Sequence, residues 1–197
     1  MQIMKKDLQE INLRLREKIS DNMKVIGFIS PKGDFERQTV LANLAVMYSN
    51  SKQKTLIVNT DSSKSVYQSI FNLKKSEGLI DYLLDDNLLL ADFIQQTDNE
   101  FLAVMESGEP ENKGLDYLSN SFKFKKMIEN LKANFANILV DIKFSSNDLE
   151  GISVLNSCDA VIIVENSKIT NKRAMNKMLR SLLKNNIKVV GYIDVKK

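Results

Sequence analysis

Short apolar runs of strand length recur along this chain, separated by longer stretches with helical spacing, and few folds accommodate that alternation. The runs are Lys24-Val-Ile-Gly-Phe-Ile29, Thr55-Leu-Ile-Val58, Phe101-Leu-Ala-Val-Met105, Asn137-Ile-Leu-Val-Asp141, Ala160-Val-Ile-Ile-Val164 and Ile187-Lys-Val-Val-Gly-Tyr-Ile193. A strand that is apolar nearly throughout is covered on both faces, as in a parallel sheet sandwiched by helices. Between the runs, residues 5–20 repeat Leu8, Ile11, Leu15 and Ile19 at three- and four-residue steps, and a helix from Thr39 carries Leu41, Leu44, Ala45 and Tyr48. Segments 64–72, 78–84, 87–96, 120–134 and 170–185 also read as helical, while 30–38 reads as a loop. The expectation is a three-layer α/β fold with a mostly parallel central sheet and helices on both faces. It forms one domain over residues 1–197, of which 1–20 carry an N-terminal amphipathic helix.

Composition removes several chemistries. The chain has no histidine and one cysteine, which excludes His-based triads, zinc sites and disulfides. Cys158, beside an apolar run, is expected to be buried and inert. No stretch approaches the roughly 20 apolar residues that cross a bilayer, and no signal peptide is visible, so a cytoplasmic protein without membrane insertion is expected. Net charge is only +3. The clusters Lys123, Lys125, Lys126 and Lys172, Arg173 read as solvated faces, so no nucleic-acid partner is expected.

In open α/β sheets ligands sit beyond the carboxyl ends of the strands, which directs attention to the loop after the first strand. It reads Ser30-Pro31-Lys32-Gly33-Asp34-Phe35-Glu36-Arg37-Gln38-Thr39-Val40. A phosphate-cradling Gly-x-x-x-x-Gly-Lys-Ser/Thr loop needs glycines for its backbone angles, a lysine for the phosphates and a hydroxyl for magnesium. No register of this loop meets that pattern.

The segment nevertheless resembles the bacterial tyrosine kinases (BY-kinases) of capsule and exopolysaccharide synthesis. These are relatives of the MinD/ParA ATPases with a deviant P-loop, roughly Ser-Pro-x-x-Gly-Glu-Gly-Lys-Ser-Thr. The likeness continues in order through Thr55-Leu-Ile-Val-Asn-Thr-Asp61, Glu77-Gly-Leu-Ile-Asp-Tyr-Leu83, Gln95-Gln-Thr-Asp98, Gly108-Glu-Pro110, Ile138-Leu-Val-Asp141 and the tail with Ala160–Val164, Lys168, Thr170 and Gly191. The resemblance implies a P-loop NTPase-like fold and, residue by residue, a site made of Lys32, Gly33, Asp34, Glu36, Arg37, Gln38 and Thr39, with Lys32, Asp61 and Asp141 in the catalytic positions.

The departures fall on those same positions. Asp34 and Glu36 stand where the family has glycines, Arg37 replaces the phosphate lysine, Gln38 the magnesium hydroxyl, and Asn59 the first aspartate of the second motif. Two carboxylates beside a phosphate site repel it; a like-charge pair at ~4 Å costs on the order of 4 kcal/mol at an effective dielectric of about 20. The alternative role for Glu36 and Arg37 is an ordinary surface salt bridge. The only tyrosine near the end of this sequence is Tyr192, in an expected strand, so the family's C-terminal tyrosine cluster is expected to be missing; Tyr48, Tyr67, Tyr82 and Tyr117 read as packing residues. The family's Glu-x-x-Arg-x-x-Arg oligomerisation helix survives here as Glu10, Leu13 and Arg16, leaving homo-oligomerisation and simple docking of the helix both open.

These features predict a catalytically degenerate BY-kinase-like protein with no ATP or magnesium cofactor and no metal site. It would act as a partner or regulatory subunit in polysaccharide or cell-envelope assembly, binding a kinase homologue or a membrane adaptor at the inner face of the membrane. The competing expectations are an active ATP-dependent tyrosine kinase or ATPase working through Lys32, Arg37, Asp61 and Asp141, and a MinD/ParA-like positioning protein.

Overall fold

The computed structural model describes residues 5–20, 22–32, 34–62, 66–74, 77–108, 121–144 and 149–195. Gly33, Pro110 and Tyr117, singled out above, lie outside the described residues. In chain order the elements are α1 (Lys5–Lys18), β1 (Val25–Ile29), α2 (Asp34–Asn50), β2 (Thr55–Asn59), α3 (Tyr67–Ile70), α4 (Leu79–Leu84), a 3-10 turn (Leu90–Phe93), β3 (Gln95–Gln96), β4 (Leu102–Met105), α5 (Ser121–Leu131), β5 (Asn137–Asp141), α6 (Leu149–Leu155), β6 (Ala160–Glu165), α7 (Lys172–Lys184) and β7 (Val189–Asp194). The strands form one sheet in the order β3-β4-β2-β5-β1-β6-β7. Every pairing is parallel except β3 with β4.

The strand residues alternate between two cores, which is why the runs are apolar throughout. Val25, Ile29, Leu56, Val58, Ile138 and Val140 face one core, capped by α4, α5, α6 and α7 through Leu79, Phe124, Val154 and Met178. Ile26, Phe28, Ile57 and Leu139 face the other, capped by α1, α2 and α3 through Leu15, Leu41, Leu44 and Tyr67. Leu15 is buried and Ile11 and Ile19 pack beside it, so α1 docks on its own sheet by the face its periodicity marks. Among the described residues no helix is long and apolar enough to cross a membrane.

Several expectations need correction. The helix expected from Thr39 starts at Asp34, so most of the expected loop at 30–38 is helical. With glycine absent from its first turn, and with Asp34 and Glu36 there to complement the positive end of the helix dipole, nothing holds that segment open. The helical stretch expected at 64–72 is the short α3, and that at 87–96 contains a 3-10 turn followed by the antiparallel edge strand β3. Cys158 is only partly covered; its thiol packs near Gly27, donates weakly to the Val154 carbonyl, and is pushed up by burial.

Gly78 shows where a side chain cannot be tolerated. The Leu79 and Ile80 amides donate to the Glu106 and Ser107 carbonyls at 2.8 and 3.0 Å, drawing the start of α4 onto the end of β4. A Cβ on Gly78 would collide with the Glu106 carbonyl oxygen and the Gly108 amide, both rigid backbone. Gly78→Ala is therefore expected to destabilise the fold by about 1–3 kcal/mol, read as a lowered urea midpoint; an unchanged midpoint would contradict this packing.

Candidate functional site

Parallel register gathers the polar groups at one end of the sheet. Asn59 of β2 and Phe28 of β1 both lie level with Asp141 at the end of β5. Just beyond β2, the Thr60 amide and hydroxyl both donate to the Asp141 carbonyl, at 3.0 and 2.9 Å. Asp61 follows, its amide donating to the Asn59 side-chain oxygen at 2.9 Å. The retained aspartates Asp61 and Asp141 thus meet at the carboxyl ends of adjacent strands, both fully buried.

Between them stands Arg37. It projects from the first turns of α2 and is 0% exposed. Its Nε donates to Asp141, one terminal nitrogen donates to Asp34 at 2.6 Å and to Ser30 at 3.2 Å, and the other donates to Asp61 at 3.1 Å. Four of the five guanidinium N–H donors are thereby committed. Tyr67 closes the far side, its hydroxyl donating to the second Asp141 oxygen at 2.8 Å, and Lys143 adds a longer contact to Asp61 at 3.8 Å.

The charges nearly balance. Arg37 faces two buried carboxylates and the half-exposed Asp34, and Lys143 supplies a second, half-exposed cation. At ~3 Å and an effective dielectric near 20, each close pair is worth roughly 5 kcal/mol of attraction before desolvation. Burial works against charge on Arg37, but Asp141 and Asp34 outweigh it and hold the guanidinium proton more tightly than water does. The same burial pushes the Asp141 carboxyl up, and Arg37 and the Tyr67 hydroxyl offset this only in part. Burial, reinforced by Asp141, drives the Tyr67 phenol well above its ordinary value. Since the guanidinium stays protonated at any accessible pH, the cluster is a fixed ionic hub, not a proton carrier.

The remaining positions scatter around this hub. Glu36 and Arg37 do not form the surface salt bridge considered above: Arg37 turns inward, and Glu36 is buried beside β6, accepting from the Asn166 side chain at 3.2 Å. One helical turn carries the two residues in different directions, so adjacency in sequence does not make them partners. Gln38 is buried, and the Thr39 hydroxyl donates to the Phe35 carbonyl one turn back at 2.7 Å. Lys32 is exposed and takes no part in the Arg37 contacts. Asn59, in place of an aspartate, donates to the buried Glu106 carboxylate at 2.8 Å; a carboxylate there would face another. On α1, Glu10, Leu13 and Arg16 all point to solvent, and Glu10 pairs with Arg14 at 2.6 Å.

Sequence reasoning missed Tyr67, Ser30, Glu106 and Asn166 as members of this region. Tyr67 was read as packing, and packing is half its role: it stacks on Phe71 while its hydroxyl serves Asp141. Only the sheet order, which puts β4, β2, β5, β1 and β6 side by side, joins these residues.

Removing one member of a buried ion cluster strands the others. Arg37→Met is expected to cost about 3–5 kcal/mol, and Tyr67→Phe, which leaves one Asp141 oxygen unpaired, about 1–3 kcal/mol. Chemical denaturation of the purified variants measures both. An Arg37→Met protein as stable as the parent would mean that the cluster does not hold the sheet ends together.

Comparison with known proteins fits this geometry. No family model matches the chain. Tyrosine-protein kinase CpsD of Streptococcus agalactiae serotype III (strain NEM316) is 26% identical over 171 residues, covering 86% of this chain and 73% of that one. Tyrosine-protein kinase CpsD of Streptococcus pneumoniae is 29% identical over 163 residues, covering 82% and 71%. Among solved structures, the chimerical protein CapA2B2 matches with a TM-score of 0.84 at 24% identity over 100% of this chain and 87% of that one. The kinase domain of Escherichia coli tyrosine kinase ETK matches with a TM-score of 0.85 at 17% identity over 98% and 76%. The septum site-determining protein MinD from Pyrococcus horikoshii, complexed with Mg-ADP, matches with a TM-score of 0.71 at 24% identity over 87% and 69%. By sequence this chain is similar to bacterial tyrosine kinases at 26–29% identity, and by fold it shares the α/β architecture of their kinase domains and of the MinD and ParA ATPases.

Proposed function

We propose that this protein is a catalytically inactive BY-kinase homologue that works as a partner or regulatory subunit, in polysaccharide or cell-envelope assembly. The observation that carries the proposal is Arg37 lodged between Asp61 and Asp141. These two carboxylates are the groups that the family resemblance assigns to catalysis, and here a side chain of the protein itself satisfies them.

ATP and magnesium do not fit this arrangement. A metal approaching Asp61 or Asp141 would have to displace the guanidinium, and its positive charge would lie next to Arg37. The Thr39 hydroxyl donates to the backbone of its own helix. The amides that would cup phosphates belong to a helix carrying Asp34 and Glu36 in its first turn. Within the loop segment Lys32 keeps the family's basic residue, and it is exposed just before α2. A positioning role of the MinD/ParA kind meets the same obstacle if it requires a nucleotide switch. The partner on this reading is a kinase homologue or a membrane adaptor.

Three measurements test the proposal. A ligand at 100 times its dissociation constant stabilises by roughly 2.7 kcal/mol, which moves the melting temperature of a domain this size by about 5–10 °C. ATP with magnesium is expected to produce no shift and no phosphate release, and Lys32→Ala to behave as the parent. ATP-dependent phosphate release that disappears in Lys32→Ala would replace this reading with that of an active enzyme. Co-purification with an envelope-assembly kinase or adaptor is the expected positive result, and failure to capture either would remove the partner role.

A further inference from the structure

Helix α7 carries more positive charge than the whole chain. It holds Lys172, Arg173, Lys177, Arg180 and Lys184 and no acidic residue. With the chain at +3 and these five at +5, everything else sums to −2. Arg173, Lys177, Arg180 and Lys184 recur at three- and four-residue steps, Lys172 adjoins them, and all five are exposed, so they form a stripe roughly 18 Å long on the outer side of the helix. The inner side is apolar: Met178 and Leu182 are buried and Met175 and Leu179 pack beside them. Among the described residues none of the five cations has an ion-pair partner. Leu183 stands among them at 75% exposure, and Ile169, just ahead of the helix, is 43% exposed.

We propose that this face of α7 docks the protein directly on an anionic lipid surface. The proposal stands on α7 alone and holds whether or not the Arg37 site binds nucleotide. Unpaired cations on an exposed helix gain attraction from anionic headgroups, and an apolar side chain protruding between them gains burial at the headgroup boundary. That mixture favours a bilayer over a nucleic acid, whose phosphodiester backbone offers Leu183 nothing. Helix α7 contains no aromatic residue and so lacks the platforms with which single strands are bound. The rest of the chain, being net negative, would orient α7 towards the surface.

The chain contains no tryptophan, so Leu183→Trp supplies a unique fluorescent reporter at an exposed position. Vesicles of phosphatidylcholine with about one-third phosphatidylglycerol are expected to sediment the protein at low salt, whereas pure phosphatidylcholine vesicles are not. The Leu183→Trp emission should shift to the blue on binding, and ~0.5 M salt should release the protein. The double variant Lys177→Glu, Arg180→Glu should bind at least about 10-fold more weakly, with an unchanged melting temperature confirming its fold. Failure to bind anionic vesicles, binding unaffected by the charge reversal, or capture by heparin or by a second copy in preference to vesicles would each overturn the proposal.

Discussion

A buried guanidinium that must be neutralised is the constraint around which the carboxyl end of this sheet is organised. Arg37 cannot shed its proton and has no access to water, so each of its donors has to find an acceptor within the protein. Asp34 supplies one from its own helix, Ser30 another from the end of β1, Asp61 a third from beyond β2, and Asp141 a fourth from β5. One side chain thus ties a helix to three neighbouring strands. The exposed Glu10–Arg14 pair on α1 has the same chemistry at a similar distance, yet water and salt screen it and its contribution is close to nothing.

Satisfying Arg37 dictates its surroundings. Two aspartates this close would repel one another in a dry interior, and the guanidinium makes their joint ionisation tolerable. Tyr67 takes the Asp141 oxygen that Arg37 leaves over. One position along, Asn59 meets the buried Glu106 with an amide where a carboxylate would repel it. The start of α2 follows suit, because a loop held open for phosphates needs glycines, and Asp34 and Glu36 instead reward a helix. On the function proposed above, these residues act as a set in which an internal cation takes the place of an external ligand.

Much of the architecture was legible before any coordinates. β5 coincides with its apolar run, β6 starts where its run starts, and α1 docks by the very residues its periodicity marks. These features follow from burial on two faces or on one stripe, which is a local property of the chain. Element boundaries near the site were the least legible. The segment 30–38 has the turn residues of a loop in Ser30 and Pro31 and the charges of a helix start in Asp34 and Glu36, and periodicity could not arbitrate between them. β3 was invisible because two glutamines at a sheet edge carry no apolar pattern.

The sequence by itself determined the layered α/β fold and the family resemblance, and it marked Asp34, Glu36, Arg37 and Gln38 as departures from the loop pattern of the family it resembles. Only the tertiary structure decided what that change amounts to. Whether Arg37 points to solvent or into the sheet depends on where Asp61 and Asp141 end up, 24 and 104 residues away. Their convergence is set by the order and register of parallel strands, which no local window of sequence encodes. A charge takes its meaning from the groups that surround it, and in this protein those groups arrive from distant parts of the chain.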